Sequence, residues 1–197
     1  GVRPAELRTY PCSLSESAEL RRYYETGAWR PYGHDELLDV LTEVMSRTPE
    51  YCRLTRVIRD IPGTDIVDGN KLTNFRELAE AELARHGVRP RDVRSREIRR
   101  APLDPGDLTL ETVDYATSVG REIFLQFVTG DDRLAAFLRL SLPETEVAPP
   151  EIATSAMIRE VHVYGVLTGI GESADGRSQH TDLGRRLIER AAVLARD

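Results

Sequence analysis

A chain of 197 residues, 40% hydrophobic and 30% charged, is long enough for one large or two small folded domains with a real core. Its apolar stretches are short and interrupted by charge, which excludes a transmembrane helix, and Gly1 to Thr9 forms neither a signal peptide nor a basic amphipathic leader, so a cytoplasmic protein without a membrane partner is expected. The net charge of −6 argues against indiscriminate nucleic-acid binding, because affinity for polyanions comes from cations set against phosphates.

In chain order, Leu7 to Tyr10 reads as a short strand ended by Pro11, and Glu16 to Glu25 as an amphipathic helix that Gly27 terminates. His34 to Arg47 is the clearest helix: Leu37, Leu38, Leu41, Val44 and Met45 recur at three- and four-residue steps, and Pro49 lies just past its end. Arg53 to Ile61 alternates as a strand stopped by Pro62-Gly63. Asp65 to Asn70 reads as a polar connection, followed by a helix from an N-cap at Thr73 or Asn74 to Arg85, closed by His86-Gly87.

From Val93 a run of strands is expected: Val93 to Arg99, Leu108 to Tyr115, Glu122 to Val128 and Leu134 to Leu142, with Gly130-Asp131-Asp132 as a hairpin turn. Pro143 to Pro150 reads as a loop. Ser155 to Tyr164 then reads as a strand, central in a mixed sheet, and Gly184 to Ala195 as a helix packed against it through Leu187, Ile188, Ala191 and Leu194.

Two features carry chemistry. The arginines cluster at Arg53, Arg56 and Arg59 and again from Arg85 to Arg100, while Lys71 is the only lysine among 27 basic residues; the fixed fork of donors on arginine suits phosphate, although solvated faces would look the same. The second is Gln179-His180-Thr181-Asp182-Leu183-Gly184, after a strand and before a helix. Small residues in such a segment let backbone N–H groups approach a diphosphate at a helix N-terminus. Gln179 and Gly184 fit that pattern. Asp182 stands where glycine is wanted, either opposing phosphate with its charge or capping the helix itself.

Glu160 on the preceding strand is a candidate general base, and His162 and His180 are equally readable as structural histidines. Cys12 and Cys52, forty positions apart, give no disulfide framework and no iron–sulfur spacing, and His86, Asp92 and Glu97 form no recognisable zinc set; no metal is expected.

The order of Tyr10-Pro11, the Gly27 to Tyr32 segment, Arg59-Asp60-Ile61-Pro62, Thr73-Asn74, Arg94 to Ile98, and Ile158 to Gly165 followed by Gln179 to Gly184 resembles one family: the catalytic subunit of Elongator. That family joins a radical-SAM barrel to a GNAT acetyltransferase-like domain and carboxymethylates the wobble uridine of tRNA. The resemblance implies an α/β and α+β chain. Residues 1–64 would close a partial TIM-type barrel, 65–92 would be a linker, and 93–197 an incomplete GNAT-like domain. It further implies an interior fragment of a longer enzyme, inactive alone, whose iron–sulfur cluster and SAM are held outside this chain.

Acetyl-CoA contacts would fall on His162, Val163, Gln179, His180, Thr181, Asp182, Leu183, Gly184 and Arg185. tRNA contacts would fall on Arg53, Arg56, Arg59, Lys71, Arg94, Arg96 and Arg99, on one basic surface. The resemblance implies tRNA rather than DNA, and other Elongator-type subunits or a second copy as protein partners. Two alternatives remain open at this point: a non-catalytic tRNA-binding or assembly module with a degenerate acetyl-CoA site, and a GNAT protein acetyltransferase.

Overall fold

The computed structural model describes residues 3–58, 61–99, 105–143, 150–164 and 180–196. The chain divides into two compact units, Pro4–Ser95 and Arg96–Asp197.

In the first unit, β1 (Glu6–Arg8) and β3 (Arg53–Arg56) pair in parallel, Leu7 opposite Leu54. Parallel neighbours require a crossover, and the helix α2 (His34–Arg47) lies between them in sequence. Glu36 reaches back to accept the Gly33 N–H at the start of α2, while Leu37, Leu41 and Met45 face inward. They pack with Leu54 and Val57 and with Phe75, Ala79 and Leu83 of α3 (Phe75–Arg85). Fully burying a side chain of this size contributes roughly 1.5–3 kcal/mol. The segment expected as a linker thus contributes Phe75, Ala79 and Leu83 to this unit's core. Asn74 precedes α3, but its side chain makes no capping hydrogen bond there.

Two further expectations in this unit are corrected. The helix expected over 16–25 is only α1 (Arg21–Glu25), with no buried residue; before it, β2 (Leu14–Ser15) pairs with β4 (Ile66–Asp68), which takes up the chain read as a polar connection. A sequence window cannot see that pairing, because its partners lie fifty residues apart. Gly27 does end α1, at φ +74°. At Gly69, φ +113° and a Cβ position only 2.8 Å from the Ser13 hydroxyl make glycine obligatory beside the β2–β4 pair.

Val93 to Arg99 is not a strand. Val93–Arg96 forms a short helix, α4, because Asp92 accepts the Arg94 N–H and turns the chain; only Glu97 makes a bridge, to Leu134.

The second unit is a four-stranded antiparallel sheet in the order β5 (Thr109–Ala116), β6 (Gly120–Val128), β7 (Leu134–Pro143), β8 (Met157–Val163). All four strands lie within a residue or two of expectation, and Asp132, at φ +62°, sits in the β6–β7 turn. Against the expectation of a central place in a mixed sheet, β8 is, among the described residues, the outermost strand of this sheet, whose ladders are antiparallel. Helix α5 (His180–Leu194) lies on one face, where Leu183, Leu187 and Ala191 pack on Ile123, Leu125, Phe127, Leu138 and Leu140. The other face carries Glu122, Phe124, Gln126, Phe137 and Arg139, all buried.

Candidate functional site

The first candidate site is a cleft of about 460 Å³ in the first unit, lined by Thr55, Arg56, Val57, Ile58, Thr73, Arg76 and Arg94. Two of the lining residues, Arg76 and Arg94, are bonded to Asp92, which has no solvent exposure and accepts hydrogen bonds from the Leu54 N–H (3.3 Å), the Arg94 N–H (3.1 Å) and the Ser95 hydroxyl. Arg76 rises from α3 against this carboxylate at 3.4 Å and donates also to the Leu54 carbonyl (2.9 Å), Ser95 Oγ (2.8 Å) and Glu80. Arg94 donates to the Thr55 carbonyl at 2.8 Å. Three guanidinium groups thus line one concavity with two hydroxyl-bearing threonines, an environment suited to an anion such as phosphate.

The expected basic residues do not all meet here. Arg56 and Arg94, nearly forty positions apart in sequence, come together. Arg53, on the same strand as Arg56, is half-buried; after the stronger hydrogen bond from Arg8, its charge helps hold the Glu6 carboxyl below its ordinary pKa. Lys71 and Arg99 are exposed, and Arg59 lies outside the described residues. Arg96 is misassigned as an RNA contact. It is 1% exposed, with Nη1 on Asp132 at 2.9 Å and Nη2 on Gln126 at 2.7 Å, so its charge is spent inside the second unit. Arg76 was missed: in sequence it reads as one end of an i,i+4 pair with Glu80, and only the turn at Asp92 brings it into the cleft.

The second candidate site is the β8–α5 element. Gln179 lies outside the described residues, and His180 and Thr181 are placed only as the first residues of α5. The helix begins at His180, so Asp182 sits inside its first turn rather than at the cap. Its carboxylate accepts from Arg185 Nε at 2.8 Å, and Arg185 also donates to Glu189 at 2.6 Å; these two carboxylates, Asp182 first, raise the Arg185 pKa. The opposition between Asp182 and a ligand's phosphates is thereby offset by an exposed guanidinium on the same turn. Leu183 is core. Gly184 lies within α5 beside β8, where an added Cβ would stand 3.5 Å from Val163 Cγ2, an ordinary contact that brings helix and strand close.

On the face of β8 opposite α5, the Glu160 carboxylate bridges two partners: Arg139 Nε at 2.7 Å and His162 Nε2 at 2.8 Å. Arg139 is 2% exposed and lies over the rings of Phe124 (4.9 Å) and Phe137 (5.3 Å). His162 stacks on Phe137 with centroids 5.1 Å apart and an interplanar angle of 21°.

The model for the Radical_SAM C-terminal domain family matches residues 4–85, nearly the whole first unit. The chain is 34% identical over 98% of its length to a tRNA uridine(34) acetyltransferase of Dehalococcoides mccartyi, covering 43% of that protein. It is 32% identical over 97% of its length to the Elongator complex protein 3 of Dictyostelium discoideum, covering 35% of it. The solved structure of the archaeal Methanocaldococcus infernus Elp3 with an N-terminal deletion superposes with a TM-score of 0.82 at 32% identity, over 98% of this chain and 47% of that one. The chain resembles the Elongator catalytic subunit along nearly its whole length. It spans less than half the length of the curated relatives it matches.

Proposed function

We propose that this chain is part of an Elongator-type enzyme that modifies the wobble uridine of tRNA. In this reading the arginine cleft of the first unit contacts the tRNA backbone and the β8–α5 element of the second holds acetyl-CoA. The observation that carries it is the joint presence, in a chain that resembles tRNA uridine(34) acetyltransferases throughout, of an anion-suited cleft at Arg56, Arg76 and Arg94 and a strand-to-helix element with Gly184 set against Val163. Arg53 and Lys71, in the same unit as the cleft, would add to the RNA contact surface. The first turn of α5 and Arg185 would take the diphosphate of the acyl carrier, whose thioester is the chemistry it supplies.

These residues do not fit an iron–sulfur cluster. Cys12 is exposed and Cys52 fully buried, and among the described residues no three His, Cys, Asp or Glu side chains are gathered as for a metal. SAM and the cluster therefore have no ligand set in the described part of this chain, and no step is derived through them. No helix among the described residues is long and apolar enough to cross a membrane.

The test is direct. tRNA binding by the intact protein and by its Arg56→Ala and Arg94→Ala variants is measured at several salt concentrations, with calorimetry of acetyl-CoA binding alongside. Unaltered tRNA affinity and salt slope in both variants would show that the cleft does not meet RNA; no heat with acetyl-CoA would remove the second half of the proposal.

A further inference from the structure

The Glu160 carboxylate divides its two oxygens between a buried cation and an exposed imidazole. Oε2 accepts from Arg139 and Oε1 meets His162 Nε2. A carboxylate can only accept, so Nε2 is the protonated nitrogen of the neutral ring and Nδ1 keeps its lone pair. The ring is stacked on Phe137 at 5.1 Å and lies beside Tyr164 at 6.1 Å, with interplanar angles of 21° and 18°. The His162 side chain nevertheless stays 40% exposed, while Arg139 behind it is 2% exposed. A buried positive anchor, a carboxylate fixed by it, and a solvent-reaching imidazole of set tautomer form the arrangement by which a histidine is prepared to take a proton.

We infer that His162 is the proton acceptor that activates water against the thioester of acetyl-CoA, with Glu160 and Arg139 as its positioning residues. This rests on the acetyl-CoA reading above. His162 Nδ1 removes a proton from water as the oxygen adds to the thioester carbonyl. The tetrahedral adduct collapses by breaking the carbon–sulfur bond, the thiolate takes the proton from the imidazolium, and free CoA thiol leaves with acetic acid, which ionises to acetate by giving its proton to solvent, so that water is the only co-reactant. Glu160 itself, the candidate base of the sequence reading, is engaged by Arg139 and His162 and acts through the ring. The placement is consistent on both faces of the sheet: α5 lies on the Leu138 and Leu140 face, and the Glu160–His162 pair stands on the opposite one. The charged and titratable groups around the ring are Glu160 and Tyr164 from its own strand, Arg139 from β7, and, one pair further along the sheet, Arg159 with Glu122 at 2.9 Å.

The experiment uses the intact protein with tRNA and three readouts: thiol release from acetyl-CoA, calorimetric acetyl-CoA affinity, and nitrogen-15 NMR of the histidines. His162→Gln should lower thiol release at saturating acetyl-CoA by roughly 10²-fold or more, the range for loss of a general base. Any fall in acetyl-CoA affinity should be far smaller than the fall in thiol release, and the protein should remain folded. Glu160→Gln, which replaces the carboxylate facing Nε2 by an amide, should lower thiol release and weaken the Nε2–H signature of His162. Three results overturn the inference: thiol release by His162→Gln at the unmodified rate, a fall in acetyl-CoA affinity or thermal midpoint that accounts for the loss, or a His162 spectrum with the proton on Nδ1. Failure of the unmodified protein to bind acetyl-CoA instead overturns the reading on which the inference stands.

Discussion

Asp92 holds the first unit and its cleft together, and its removal has a calculable cost. The side chain is fully buried and is met by Arg76, Ser95 and the N–H groups of Leu54 and Arg94. Removing one member of a buried ion pair costs about 3–5 kcal/mol, since the other charge is left without its counterpart. Arg76 keeps Glu80, the Leu54 carbonyl and Ser95 Oγ, so Asp92→Ala belongs at the low end, about 3 kcal/mol. With a urea m-value of ~1–3 kcal/mol/M for a unit of this size, the unfolding midpoint should fall by ~1–3 M. Trp29, the single tryptophan of the chain, lies in this unit, so its fluorescence reports that transition selectively. Asp92→Asn keeps an acceptor for the backbone N–H groups and should lose less. A midpoint shift in Asp92→Ala equivalent to less than ~1 kcal/mol would refute the account, because it would mean that the buried carboxylate is not compensated by the groups named here.

Glu36 accepts from both Nη groups of Arg30 and from the Gly33 N–H, and these bonds, Arg30 first, lower its pKa from 4.5 to about 2. Because the folded value is depressed, the stabilisation is complete above pH ~4.5 and disappears as pH falls toward 2; a carbon-13 titration should place the midpoint near the lower value and return it to the ordinary glutamate range in Arg30→Ala. Arg56→Ala and Arg94→Ala should each weaken tRNA binding irrespective of sequence and reduce the logarithmic salt slope by roughly one, measured by filter binding across a salt series. Arg96→Ala should leave that slope alone and lower the thermal midpoint of the second unit, because its guanidinium is buried against Asp132 and Gln126. Gly69→Ala should destabilise the first unit by at least ~1 kcal/mol in chemical denaturation, since φ +113° and the Ser13 contact both oppose a side chain.

Much of this protein is written in local pattern. The 34–47 helix follows from apolar residues at three- and four-residue steps, and the 120–128 and 134–143 hairpin from two apolar runs around Gly130-Asp131-Asp132, because in each case the partners that stabilise the element are near in sequence. The resemblance to the Elongator catalytic subunit was likewise legible from ordered short strings. What local pattern could not decide depends on distant partners. The stretch at 66–68, inside what reads as a polar connection over 65–70, becomes a strand because Leu14 and Ser15 pair with it, Val93 to Arg96 becomes helical because Asp92 turns the chain, and the 65–92 stretch contributes to the core because α3 packs its Phe75, Ala79 and Leu83 on α2. The same holds for the sites. Arginine composition drew Arg56, Arg94 and Arg96 together as equals, and only the tertiary structure sends the first two into a shared cleft and buries the third against Gln126, because a guanidinium's role is set by which acceptors the fold brings within about 3 Å of it.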